Sequence, residues 1–257
     1  MQNKKNLFIV IAIISAIVGS YFFLMRKKPE TAEPVKVNVV IVGTNAEYPP
    51  FSLVSENEIT GFDIDIIKEA CNRLNKRYEI QDKPFDALIP EVQLGKIHVI
   101  AAGMTPTAER EKQVFFTRPY YAGDPLIIIS PKSAPITSIE QLNGKNVIVN
   151  EGFTADRYIS SLTGPIIKRF PAVSEGFLAL KSGRGDAFVT AQSAVQDYFN
   201  MHDKNDFEII PVENQMETYA LVVSKKYPEL FADLDKVIGD MLEDGAIAKL
   251  KAKWNLQ

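Results

Sequence analysis

Ala101-Ala-Gly-Met-Thr-Pro-Thr-Ala-Glu-Arg110 follows directly on the apolar run His98–Ala102. The run reads as a strand, and Thr105 before Pro106 reads as the N-cap and first position of a helix. Gly103 lets a ligand approach the backbone. Free amides at such a helix start suit a carboxylate, and Arg110, little more than a turn on, adds a bidentate clamp. The competing reading is an ordinary helical ion pair of Arg110 with Glu109 or Glu111. Strand, glycine turn, capped helix and arginine together predict an anion site at a strand end, where open α/β sheets place ligands.

The surrounding chain repeats the alternation. Strands are predicted at Val37–Val42, Leu126–Ser130, Asn146–Asn150, Ala187–Thr190 and Ala220–Ser224. Helices are predicted at Gly61–Leu74, Phe85–Leu94, Ala155–Leu162, Val173–Leu180, Ala194–Met201 and Tyr227–Trp254, the last broken near Gly245. Such alternation argues for an α/β protein with largely parallel sheets. Val92–Ala101 and Leu180–Val189 both read as helix end, glycine turn and strand, with Gly95 and Gly183 offset by 88 residues. That echo favours two similarly built lobes over one barrel. Asn150-Glu-Gly-Phe-Thr-Ala155 repeats the anion-site pattern in the second half, with amides at Phe153, Thr154 and Ala155 facing the same ligand from the other side.

Composition narrows the class. The 257 residues hold 29 Lys+Arg, 32 Asp+Glu, two His and one Cys, with 46% hydrophobic residues, enough for a core. Leu7–Met25 is uncharged and apolar-leaning, flanked by Lys4 and Lys5 before it and by Arg26, Lys27 and Lys28 after it. It reads either as a signal peptide or as an N-terminal membrane anchor, so residues 1–28 form an export segment and 29–35 a polar linker. With five of the 29 basic residues in that segment and no acidic one, the exported body carries 24 against 32, a net of −8. Such a body has no basic surplus for nucleic acid. One Cys excludes an internal disulfide, and two His 104 residues apart make a poor metal site. No cofactor is called for.

Most other reactive residue types have bland readings. Cys71 lies beside the helical stripe Phe62, Ile66, Ala70 and Leu74, as a buried structural thiol does. His98 reads as a structural or surface imidazole, and His202 as an exposed one. Gly43-Thr-Asn-Ala-Glu-Tyr-Pro-Pro-Phe51 follows the first strand, and its prolines stiffen the loop around Tyr48. It reads equally as a site loop and as a proline-rich turn with a buried tyrosine. No G-x-S-x-G, Cys/His pair or P-loop is present.

Taken in order, T-N-A-E-Y-P-P-F (44–51), G-F-D-I-D (61–65), F-D-A-L-I-P (85–90), A-G-M-T-P-T-A-E-R (102–110), P-Y-Y (119–121) and K-L-K-A-K-W (249–254) resemble the bacterial extracellular solute-binding proteins of family 3. These bind polar amino acids for ABC importers, and the T-N-A wording is similar to arginine-binding members, the chlamydial ones in particular. The resemblance implies a periplasmic-binding-protein-like α/β fold: two Rossmann-like lobes, a two-crossing hinge near Asp124–Ile128 and Thr218–Val222, and a ligand in the cleft. Residues 36–126 and 222–257 would form lobe 1, and 127–221 lobe 2. It implies a periplasmic monomer, free or anchored by residues 7–25, that delivers an amino acid to a permease in the inner membrane.

The same resemblance distributes roles. Tyr48 and Phe85 match the aromatic pair that sandwiches the ligand side chain, worth about 0.5–2 kcal/mol against a guanidinium. Arg110 matches the clamp on the α-carboxylate, assisted by amides at Thr105 and Thr154. Gly103 and Thr105 match acceptors for the α-ammonium, with Met104 between them, and Asn45 and Asn150 line the side-chain pocket. One departure stands out: Ala191 occupies the place of the usual acid for the α-ammonium, with Gln192 beside it as a neutral acceptor. Glu47 and Glu217 read first as ordinary surface carboxylates, the alternative for either being to face a cationic ligand side chain. The departure keeps two alternatives open, a binding protein for a non-amino-acid carboxylate and a cyclohexadienyl dehydratase-like enzyme on the same scaffold.

Overall fold

In strand β1 (Val39–Thr44), Val40 and Val42 are fully buried and Val39 and Ile41 half-buried, the period of two that a sheet imposes. A computed structural model describes residues 37–201 and 204–256. The export segment, the linker and His202 lie outside these residues. A small antiparallel meander follows β1: β2 (Glu47–Tyr48), β3 (Ser52–Ser55) and β4 (Glu58–Thr60). Helix α1 (Phe62–Arg73) buries the predicted stripe of Phe62, Ile66 and Ala70. Cys71 is fully buried beside it, and burial pushes its thiol pKa up to about 11, as an inert structural thiol requires.

Next come β5 (Arg77–Asp82), α2 (Phe85–Leu94), β6 (Val99–Ile100), the single turn α3 (Ala108–Glu111) and β7 (Phe115–Phe116). The second run holds β8 (Tyr121–Pro131), β9 (Asn146–Asn150), α4 (Thr154–Ser161), β10 (Ile166–Phe170), α5 (Val173–Lys181), β11 (Ala187–Ala191), α6 (Gln196–Met201) and β12 (Phe207–Tyr219). The chain closes with β13 (Val222–Val223), α7 (Pro228–Glu243) and α8 (Ala246–Lys253), the last two separated near Gly245 as predicted.

Two five-stranded sheets result, ordered β5-β1-β6-β13-β7 and β10-β9-β11-β8-β12. They share one plan. In the first, β1 runs parallel to β5 and β6, and β13 antiparallel to β6 and β7. In the second, β9 runs parallel to β10 and β11, and β8 antiparallel to β11 and β12. Gly95 and Gly183 mark the same joint in each, at φ +81° and +68°, a region closed to most side chains. There Lys96 N–H donates to Glu91 O, and Arg184 N–H to Ala179 O, closing the two helix ends alike.

The chain leaves the first sheet along β8 and returns from β12 into β13. The two crossing strands pair Tyr121 with Tyr219 and Asp124 with Glu217. His98 accepts from Ile41 N–H through Nδ1 at 3.1 Å and sets its ring against Tyr227, the structural one of its two expected roles.

Asp63 ties the first lobe's helix to the loop after β6. It is fully buried, and its Oδ2 accepts from Gly103 N–H at 2.5 Å and from Tyr120 OH at 2.7 Å. Burial pushes its pKa up to about 7, although both hydrogen bonds oppose the rise. A proton held more firmly in the folded state contributes stability that is lost as pH rises from 3.8 towards about 7. Asp63→Asn is therefore expected to remove this part of the pH dependence. In denaturation experiments the variant should gain on the wild type between roughly pH 4 and pH 7.5. An unchanging difference across that range would contradict the assignment.

Candidate ligand-binding site

Arg110 is 1% exposed, and no carboxylate lies within 4.0 Å of its guanidinium among the described residues. One terminal nitrogen donates to Thr105 O at 2.8 Å and the other to Gly152 O at 2.9 Å, so one cation links the β6–α3 and β9–α4 connections. Its Nε is buried without a partner. Burial, then the neighbouring Arg157, lowers its pKa to about 10. The helical ion pair is absent: Glu109 pairs with Arg157 instead. A buried guanidinium whose hydrogen-bond partners are both carbonyls, with Glu217 and Glu109 acting only at longer range, is partly compensated, and a bidentate anion would add to that.

The expected helix start needs a correction. Thr107, not Thr105, caps α3: its Oγ1 accepts from Arg110 N–H at 3.2 Å. The Thr105 hydroxyl is engaged elsewhere: it accepts from Thr218 N–H at 3.3 Å and donates to Glu217. In the second half, Phe153 N–H donates to Asn150 O at 3.2 Å, so that amide is not free. Gly103 sits at φ +57° with its N–H donated to Asp63, and Met104 O accepts from Ala220 N–H. Both tie the loop to the frame around Arg110.

Glu217 also departs from expectation. It is 4% exposed rather than on the surface, and one carboxylate oxygen accepts from Thr105 Oγ1 and, at 3.2 Å, from Thr154 Oγ1. Two residues on along β12, Tyr219 donates to Asp124 at 3.0 Å. Tyr48 must then donate to Tyr219, their hydroxyls being 2.8 Å apart. Ser193 completes the set by donating its amide and hydroxyl to Asp124.

Aromatic rings wall the cleft. Phe153 packs on Phe85 with centroids 4.3 Å apart and meets Tyr48 edge-on at 5.3 Å. Arg110 lies over Phe85, 5.5 Å from its centroid. Two hollows share Phe85 and Asp86. One, of about 220 Å³, contains Arg110, Met104 and Gly152. The other, of about 210 Å³, is lined by Glu47, Asp82, Asp86, Glu151 and Glu175 against one cation, Lys83, which pairs with Glu91 at 3.8 Å, and has Asn45 at its wall. Burial, then Asp82 and Glu175, raises the Glu47 pKa, the mark of crowded negative charge. Asn45 Oδ1 and Asn150 Oδ1 are both buried without a donor, although each amide nitrogen bonds a backbone carbonyl at 3.3 Å.

The structure thus gathers Tyr48, Phe85, Met104, Thr105, Arg110 and Thr154 around one cleft, with Asn45 at its acidic end. Gln192 is not brought to this group. It is exposed and lines a separate hollow with Tyr121 and Trp254. Sequence reasoning missed the Phe153 ring, Asp124 and Tyr219, and misplaced Glu217. The available signal was the spacing of Glu217 and Tyr219, two apart before an apolar run, which puts both on one strand face. Among the described residues no group of three or more His, Cys, Asp or Glu is placed to hold a metal, and no helix is long and apolar enough to cross a membrane.

A clamp between two similar sheets, with a buried cation between them, defines a hinged small-molecule-binding protein. Residues 40–257 match the model of the bacterial extracellular solute-binding proteins, family 3, and the chain belongs to that family. It is 31% identical over 218 residues to an arginine-binding extracellular protein of Bacillus subtilis (strain 168), covering 84% of this chain and 85% of the relative. A probable ABC transporter arginine-binding protein of Chlamydia trachomatis is 28% identical, covering 84% and 85%. An ancestral arginine-binding protein solved with arginine superposes with a TM-score of 0.79 at 36% identity, over 84% of this chain and 98% of that one.

Gly103 gives the geometry a direct check. A Cβ added there would lie 2.6 Å from Tyr48 Cε1, on a backbone that L-residues rarely adopt. Gly103→Ala is expected to cost about 1–3 kcal/mol in equilibrium unfolding and to displace Tyr48. A cost below about 0.5 kcal/mol would show that the loop is not held as described.

Proposed function

We propose that this protein captures a cationic α-amino acid, arginine first among them, for a membrane importer. The carrying observation is the pair of hollows that share Phe85 and Asp86, one presenting the Arg110 guanidinium and the other lined by five carboxylates. An amino acid laid across Phe85 places its α-carboxylate at Arg110 and its side chain among the carboxylates. The aromatic wall then excludes water from the aliphatic part. The arginine-binding relatives support this choice of ligand.

On this reading residues 36–126 with 222–257 form one lobe and 127–221 the other, each built on one of the two sheets. Arg110 already touches Gly152 across the cleft, so ligand contacts from both sides favour the closed state. The export segment places the body outside the cytoplasmic membrane, in the periplasm, either released or held by residues 7–25. There the closed monomer docks on the permease of an ABC transporter. Its chemistry is binding, not turnover.

Thermal melting against a panel of amino acids and carboxylates tests the proposal. Arginine or lysine at a hundredfold over its dissociation constant should add about 2.7 kcal/mol of stability, and glutamate none. Arg110→Ala should retain its fold by circular dichroism and bind at least about 30-fold more weakly, since truncating one partner of a buried charge pair costs about 2–5 kcal/mol. Wild-type affinity in that variant would sink the clamp assignment. A shift with carboxylates but with no amino acid would point to the non-amino-acid reading.

The acidic hollow makes a separate demand. The double variant Glu47→Gln, Glu175→Gln should weaken arginine more than glutamine, as measured by titration calorimetry. Equal weakening of both would assign the hollow no part in charge selection.

A further inference from the structure

Position 191, at the end of β11, carries alanine, so the second lobe offers no carboxylate there. A buried carboxylate with no basic group in contact stands instead beside Thr105 and Thr154. Glu217 is 4% exposed, and among the described residues no lysine, arginine or histidine lies within 4.0 Å of it. Arg110 is near enough to be felt through space, but its terminal nitrogens are directed at Thr105 O and Gly152 O. A buried carboxylate charge is costly, and burial raises the Glu217 pKa, so a cation arriving at this carboxylate would favour its charged form.

The hydrogen bonds around Glu217 leave one of its carboxylate oxygens open to a further donor. Thr105 and Thr154 both donate to the same oxygen, Oε2, from opposite sides of the cleft. Oε1 accepts no hydrogen bond from the described residues. Thr105 is also bound by Arg110 through its carbonyl. The anion-seeking and cation-seeking groups therefore flank a single residue. A carboxylate and an ammonium carried on one carbon need receptors placed side by side in just this way.

We propose that Glu217, from the returning crossing strand, receives the α-ammonium of the ligand in place of the acid that Ala191 lacks. The proposal rests on the cationic amino-acid reading above and sharpens it: the ligand carries a free α-amine. It also couples recognition to closure. The carboxylate is oriented by one hydroxyl from each side, so the ammonium receptor is complete only when the two sides meet.

The test pairs one protein change with one ligand change. Glu217→Gln keeps the shape and an acceptor for both threonine hydroxyls but removes the charge. Calorimetry compares L-arginine with 5-guanidinopentanoic acid, which is arginine without its α-amine, on wild type and variant. Wild type should prefer arginine by about 10- to 150-fold, the range for a hydrogen bond to a charged group. The variant should weaken arginine by about the same factor, and the amine-free acid by less than about threefold.

Equal weakening of both ligands would make Glu217 only a staple between the threonines and would overturn the proposal. Unchanged arginine affinity in the variant would overturn it too. Wild type binding both ligands equally would overturn it while leaving the cationic-ligand reading intact. Wild type binding neither arginine nor lysine would overturn that reading and this proposal together.

Discussion

One guanidinium shared by two backbone carbonyls organises the cleft. Arg110 is drawn to Thr105 O on one side and Gly152 O on the other, and these belong to connections from different sheets. Carbonyl dipoles offset only part of the cost of removing such a charge from water. Much of the surrounding structure keeps that cation in place. Thr107 caps its short helix, Asp63 fixes Gly103, and Phe85 lies under the guanidinium. The site is thus closed and under-compensated at once, the condition in which an anion gains most by binding.

Charge is laid out along the cleft in sequence. The buried cation comes first, the buried Glu217 carboxylate flanks the same threonine, and the hollow of Glu47, Asp82, Asp86, Glu151 and Glu175 lies beyond Phe85. Arg110 and Glu217 are buried, so their selectivity is carried by desolvated contacts rather than by the overall −8 of the body. The five carboxylates of the hollow are exposed and open to screening by salt. That overall charge still matters outside the cleft, where it makes attraction to phosphate backbones unfavourable.

Much of this was legible in the chain. Asn146–Asn150 and Phe85–Leu94 have the predicted bounds, the first because it is a short β-branched run between polar ends, the second because it carries an amphipathic helical stripe. The strands at Arg77–Asp82, Ile166–Phe170 and Phe207–Tyr219 were not legible. The first two are polar edge strands, and the third carries Pro211 and a polar stretch that break the alternation. Arg110 stood out because its motif is local. Glu217 did not, because its partners Thr105 and Thr154 are 112 and 63 residues away, and only the return of β12 brings it to them. The Thr105 cap failed for the same reason, since its hydroxyl is engaged by Thr218 N–H and Glu217, 113 and 112 residues away.

The most direct measurement is a crystal structure of the protein grown with L-arginine. It should show the α-carboxylate on the Arg110 guanidinium, the chain running past Phe85, and the ligand guanidinium among the carboxylates around Asn45. Arginine bound in the opposite sense, or bound outside the cleft with Arg110 still held only by Thr105 O and Gly152 O, would contradict it.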